Sequence, residues 1–145
     1  MKITIRSPQT ENEWVQYYDL RWRVLRRPWQ QPRGSEKDEL EENAAHKAAI
    51  LDNKIIAVGR VHFTNQTEAQ IRYMAVDKDY QSKGTGKLIL NTLEQTAKER
   101  NIRKIFLHAR DNAVAFYQSN HYKISEPSHI LYGKIQHYRM DKTLS

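Results

Sequence analysis

The 145-residue chain carries 24 lysines and arginines against 17 acidic residues, for a formal net charge of +7, with 39% apolar and 28% charged residues. This suits a small folded domain with a charged surface and is too apolar for a disordered chain. There is no cysteine, so disulfides, thiolate catalysis and Cys-ligated zinc are excluded, and no apolar run reaches the length of a membrane span or a signal-peptide core.

Residues 2–6 (KITIR) alternate apolar and polar, the pattern of a first strand. Thr10 precedes Glu13 by three residues, a capping-box spacing, and opens a helix rich in aromatic and aliphatic residues that Pro28 stops. The following loop holds two further breakers, Pro32 and Gly34, and Ser35 with Asp38 predicts a second, short acidic helix. Residues 46–51 and 55–63 read as strands joined by a tight turn at Asp52-Asn53-Lys54, and a second hairpin around Asn65–Thr67 leads into a strand over 69–76. A helix is predicted over 84–100, a strand over 103–109, a short helix after Asn112, and two final strands near 122–126 and 134–141. The order β-α-α-β-β-β-α-β-α-β-β defines an α/β (α+β) fold with a mixed, mainly antiparallel sheet flanked by helices. No linker, repeat or low-complexity tract divides it, so residues 1–145 are expected to form one domain.

Between the strand ending at Val76 and the long helix lies Gln81-Ser82-Lys83-Gly84-Thr85-Gly86-Lys87. The spacing fits neither a P-loop nor a dinucleotide fingerprint. Gly84 and Gly86 allow a tight curve and close approach to a ligand, and the first-turn amides of the helix point at one spot with the positive end of its dipole behind them. Lys83 and Lys87, with Lys78 nearby, add positive charge. The arrangement suits a pyrophosphate. A glycine-rich helix start with no ligand is the alternative reading.

This Q-x-x-G-x-G, together with the preceding Met74-Ala75-Val76-Asp77 and the downstream N-A-V-A-F-Y-x-x-x-x-Y beginning at Asn112, resembles the GNAT superfamily of N-acetyltransferases, across essentially the whole chain. W-R-V-L-R near the start and I-x-H-x-x-M near the end look most like a small ElaA-like bacterial subgroup. The resemblance implies acetyl-CoA as co-substrate, with no metal. The backbone of Met74, Ala75 and Val76 would receive the pantetheine, residues 81–87 would wrap the pyrophosphate, Asn112 would touch the pantetheine or adenine side, and Tyr117 would lie near the sulfur. His121 stands where the family usually has glycine, and either Asn120 or His121 is expected to absorb the left-handed turn.

Acetyl transfer to an amine requires a neutral amine, a donor for the oxyanion and a proton for the leaving thiolate. Tyr117 carries a phenolic proton and is the candidate acid, with packing beside Phe116 as its alternative role. The backbone N–H of Val76 or a neighbour is the candidate oxyanion donor. Gln70 occupies the place where related enzymes often carry a glutamate base. A hairpin about residues 64–67 places His62 opposite Gln70 and Arg60 opposite Arg72 on one face, with Val61, Phe63, Ile71 and Tyr73 on the core face. His62, directly or through water, and His137 are the candidate bases, with His46 third; a structural or surface hydrogen bond is the alternative role of each, and an amine already neutral in the site needs no base. Arg60 and Arg72 either favour an acceptor bearing a carboxylate or phosphate, or pair with the acidic stretch 36–42. Trp29, in a Pro-flanked loop, borders the acceptor pocket or packs within its loop.

The expected activity is transfer of acetyl from acetyl-CoA to the amine of a small molecule, or of a protein or peptide, by direct attack in a ternary complex. The expected setting is cytoplasmic, as a monomer or homodimer without membrane contact. Two other classes are a non-catalytic acyl-CoA-binding module and a nucleic-acid-associated basic protein. The positive charge is spread along the chain rather than gathered in a stripe, which argues against nucleic acid as a partner.

Overall fold

The computed structural model describes residues 2–145. Its strands are β1 (Thr4–Arg6), β2 (Ala45–Leu51), β3 (Lys54–Phe63), β4 (Glu68–Val76), β5 (Lys104–Arg110), β6 (Lys123–Leu131) and β7 (Ile135–Thr143), and its α-helices are α1 (Glu11–Leu25), α2 (Thr85–Glu99) and α3 (Val114–Ser119). The seven strands form one sheet in the order β1-β2-β3-β4-β5-β7-β6. Every pairing is antiparallel except β4 with β5, where α2 makes the crossover that a parallel neighbour requires.

Local chemistry accounts for the element ends. Thr10 and Glu13 form the reciprocal capping box at the start of α1. Asp52 and Asn53 both adopt positive φ, 50° and 64°, as a two-residue hairpin turn between β2 and β3 demands. After α3, His121 takes the left-handed conformation at φ 74°. Asn120 stays at φ −106°, so the turn falls on the histidine.

The acidic stretch departs from expectation. In place of a second α-helix there are turns and a single 3-10 turn at Glu41–Asn43. Gly34 sits at φ 102°, which breaks helical continuation, and the carboxylates of Asp38 and Glu41 are drawn inward to arginines. The strand β6 runs to Leu131, past Pro127, because it lies at the sheet edge and a proline there forfeits no ladder bond.

The two faces of the sheet carry separate cores. On one, Ile89, Leu90, Leu93 and Ala97 of α2 pack on Ala57, Val61, Ile71 and Ile105. On the other, Tyr17 and Leu20 of α1 pack on Ala48, Val58 and Ala75. At Gly59 the helix α2 comes so close that an added Cβ would stand 2.7 Å from Ile89 Cγ2 and from Met74 Sδ.

Strand β4 does not alternate cleanly. Its register against β3 slips between Val58 and Arg60, and Tyr73 takes φ 60°. This bulge turns Tyr73 away from the core face expected for it and onto the α1 side, where its ring lies 4.2 Å from the Arg21 guanidinium and 4.9 Å from that of Arg60. The bulge also bends the strand. Strands β4 and β5 pair only from Glu68↔Lys104 to Gln70↔Phe106 and then part.

Candidate active site

Where β4 and β5 part, a cleft of about 340 Å³ opens between them. Its walls come from Gln70–Met74 of β4, Leu107–Arg110 of β5, the end of α1, Ala113 and Tyr117, and His129, Leu131 and His137. Beyond Gln70 the backbone edge of β4 that faces β5 has no strand partner. The Asp77 amide donates to Ile56 O on the β3 side, so alternation aims the amides of Val76 and Met74 at the cleft.

The loop 81–87 lies at the end of this edge. Gly84 holds φ 85° as the N-cap of α2, a conformation strained for any residue with a Cβ, and Ser82 is also left-handed at φ 62°. No side chain caps the helix, so the first-turn amides of Thr85, Gly86 and Lys87 have no acceptor among the described residues. An added Cβ at Gly86 would meet only ordinary contacts, 3.5 Å from Phe116 Cζ and Val76 Cγ2, so packing within the chain does not demand glycine there. The Gln81 side-chain amide donates to Val76 O at 3.0 Å and braces the loop against β4. Lys83 and Lys87 are exposed beside it, and Asn112 is exposed in the turn before α3. Amides without acceptors, a glycine approach and an open strand edge together fit an extended ligand ending in a pyrophosphate.

Tyr117 lines the cleft and is buried among Phe116 and Tyr122, with ring centroids 5.0 and 5.7 Å away. Its hydroxyl has no hydrogen-bond partner among the described residues, and burial pushes the phenol above its usual range, so it keeps its proton.

The candidate bases separate in space. His62 is buried outside the cleft lining, and its Nδ1 accepts from Arg60 Nη2 at 3.2 Å, which occupies its lone pair. His46 is held between the Tyr17 hydroxyl at 2.8 Å and the Glu41 carbonyl at 2.7 Å, beneath the acidic loop. His137 lines the cleft. Its Nδ1 donates to Ile135 O at 3.0 Å, because a carbonyl can only accept, and this leaves the Nε2 lone pair available. Burial, with His129 and Arg110 nearby, holds His137 below its usual range and so neutral at pH 7.

Arg60 is fully buried and makes a two-pronged ion pair to Asp38 at 2.6 and 2.9 Å, with Glu41 at 2.8 Å. Arg72 reaches Asp38 at 3.0 Å, and Arg21 reaches Glu41 at 2.9 Å. The pairing with the acidic stretch is therefore realised for both arginines. Arg60 faces its carboxylates, while Arg72 and Gln70 still border the cleft. Trp29 approaches Tyr132 of the β6–β7 turn, with ring centroids 6.4 Å apart.

Several cleft residues escaped the sequence reading. His108 and Arg110 share the parity of Phe106 on β5 and could have been found from that alternation. His129 and Ser128 were hidden because β6 was expected to end before them. Ser128 Oγ lies 2.7 Å from His108 Nδ1 and 3.0 Å from His129 Nδ1, and the His129 ring stacks on His137 at 4.3 Å. Although three histidines share this wall, no group of His, Asp or Glu among the described residues is arranged to hold a metal ion. Nor is any described helix long and apolar enough to cross a membrane.

The sequence matches the acetyltransferase (GNAT) family over residues 14–122. The chain belongs to that family and is an acetyltransferase. It is 32% identical over 110 residues to YyaT of Bacillus subtilis (strain 168), a protein of uncharacterised activity, covering 76% of this chain and 73% of that protein. The fold is shared with an aminoglycoside 6'-N-acetyltransferase solved with coenzyme A, at TM-score 0.82 and 18% identity, covering 99% of this chain and 97% of that one. A GNAT family acetyltransferase from Elizabethkingia anophelis with acetyl-CoA bound superimposes at TM-score 0.73 and 18% identity, covering 98% of each chain.

Proposed function

We propose that the protein transfers an acetyl group from acetyl-CoA to the amine of a small molecule, with a protein or peptide amine as the second acceptor class, by direct attack in a ternary complex. The observation that carries this reading is an uncapped α2 N-terminus next to an unpartnered strand edge: β4 loses β5 beyond Gln70, and its Met74 lines the cleft together with Tyr117. The structural relatives that hold coenzyme A or acetyl-CoA support it.

Acetyl-CoA supplies the acyl thioester, and the chain supplies position and protons. Residues 81–87 hold the diphosphate, with Asn112 at the rim. Met74, Ala75 and Val76 offer backbone groups to the pantetheine, and an amide of this edge donates to the oxygen on which charge develops. His137 Nε2 accepts the amine proton. Tyr117 gives its proton to the departing sulfur. Gln70 and Arg72 border the acceptor space, and Trp29 stands at its entrance.

Titration calorimetry and a thiol-release assay over a panel of amines test the reading. Wild type binds acetyl-CoA, Gly86→Glu does not, and initial-rate plots against both substrates intersect. Parallel plots would replace direct attack by a covalent route. Binding with no thiol release from any amine would leave a non-catalytic acyl-CoA module.

A further inference from the structure

Not one residue that lines the cleft is acidic, yet six of them are arginine or histidine. Arg72 shares the Asp38 carboxylate, so its charge is already answered. Arg26 and Arg110 differ. Neither forms an ion pair among the described residues, and both are withdrawn from solvent, Arg26 being only 8% exposed. Arg26 Nη1 and Arg110 Nη2 donate to the same acceptor, the Leu25 carbonyl at the C-terminal end of α1, at 3.3 and 3.0 Å. The Arg26 Nε donates to Ser35 O at 2.9 Å. The negative end of the helix dipole and this shared carbonyl hold two like charges side by side. Arg26 Nη2 and the Nε and Nη1 of Arg110 have no partner among the described residues. Two adjacent, half-desolvated guanidiniums are costly without an anion, and their planar forks match an oxyanion.

We propose that Arg26 and Arg110 form a binding site for an oxyanion of the acceptor, a carboxylate or a phosphate, and that the acceptor is therefore an anionic amine. This rests on the acetyl-transfer reading for the word acceptor, while the anion site stands on its own geometry. The site lies on the α1 side of the sheet, at the opposite end of the cleft wall from the paired strands. Burial and the neighbouring Arg26 pull the Arg110 guanidinium below its usual range, and a bound anion relieves that repulsion. The Trp29–Tyr132 pair belongs to the turn after α1 and the β6–β7 turn, the two segments that flank the arginines.

The test uses the full chain saturated with coenzyme A, so that the α2 loop is filled. Inorganic phosphate, N-acetylglycine and N-acetylglycinamide are titrated calorimetrically in low salt. One of the two anions is expected to bind saturably and the uncharged amide not at all; which anion binds separates a phosphate from a carboxylate acceptor. Arg110→Gln should weaken that binding about tenfold or more, and Arg110→Lys should retain part of it. Arg26→Gln provides the second variant should Arg110→Gln fail to fold. Absence of anion binding to the wild type, or wild-type affinity in a folded glutamine variant, overturns the proposal. In thiol release, carboxylate or phosphate amines should exceed their neutral counterparts in kcat/KM by about tenfold, with the margin lost in the glutamine variant. If coenzyme A does not bind, the acetyl-transfer reading fails separately, and the titration is then run in Gly86→Glu, where only the arginine pair remains to hold the anion.

Discussion

Tyr117 and His137 are the two groups with a proton to give and a lone pair to take it. The phenol has no partner to hold its proton elsewhere, and the imidazole tautomer is set by its bond to Ile135 O. Tyr117→Phe is expected to lower kcat about 100-fold while leaving acetyl-CoA affinity unchanged, measured by steady-state kinetics alongside calorimetry. Equal loss of both would make the tyrosine a packing residue. The pH profile carries the second prediction. His137 is held below the ordinary histidine range of about 6.5, so the acid limb of kcat/KM falls below that pH and is flat above it. In His137→Gln that limb disappears, and the residual rate follows only the fraction of acceptor amine that is already neutral. The choice among three candidate histidines was not legible in the sequence. Each lies at a strand position that alternation marks only as facing one side. What engages the His62 ring is a guanidinium of its own strand from two residues away, a contact that depends on Asp38 anchoring Arg60.

Among the elements, β4 and α2 form the frame of the proposed donor site. Glycine at position 86 has ordinary van der Waals space around it within the chain, so packing does not demand its small size, and we assign that to the proposed acetyl-CoA. Gly86→Glu is expected to leave the melting temperature near that of wild type while abolishing acetyl-CoA binding in calorimetry. Gly59 is the reverse case. Its Cβ would fall within 2.8 Å of Leu93 Cδ1 and closer still to Ile89 and Met74. Gly59→Ala is therefore expected to cost about 1–3 kcal/mol in denaturant unfolding, because side chains of α2 cannot all yield. The glycine-rich loop was readable because a strand, a turn with the required glycines and an amphipathic helix follow one another locally. The bulge at Tyr73 was not. An unbroken apolar-polar alternation predicts a straight strand, and only the slipped pairing with β3 puts Arg72 and Tyr73 on one side.

Across the whole molecule, the acidic loop is tied to the sheet by charges rather than by apolar packing. Asp38 joins Arg60 and Arg72, and although burial alone would raise its carboxyl, the Arg60 hydrogen bonds and the Leu40 amide hold it well below the usual carboxylate range. Asp38→Ala leaves Arg60 buried with Glu41 alone and is expected to cost about 3 kcal/mol, read as a lowered denaturation midpoint. Four histidines, at 46, 62, 108 and 137, are depressed by burial in the folded state. The unfolded chain therefore binds more protons than the folded one below about pH 6.5, and stability rises with pH through that range. It is fully present above about 6.5 and is lost as pH falls toward the folded values, so the melting temperature should drop between pH 7 and pH 5. His46→Gln should flatten part of that slope. A melting temperature constant over this window would mean that these rings are not buried neutral.

The sequence by itself determined the order of the strands, the crossover helix and the glycine-rich loop, because each of these is written in neighbouring residues: a period, a turn, a pair of glycines. It also made histidines the candidate bases, since the position of the usual carboxylate holds Gln70. Tertiary structure alone decided which histidine faces the cleft, that Arg60 is held by Asp38 and Glu41, and that Arg26 and Arg110 meet over one carbonyl. Those outcomes join residues up to 85 positions apart, as in the Arg110 to Leu25 bond. Only the assembled sheet, with its slipped β4 and parted β5, brings such distant groups within hydrogen-bonding reach.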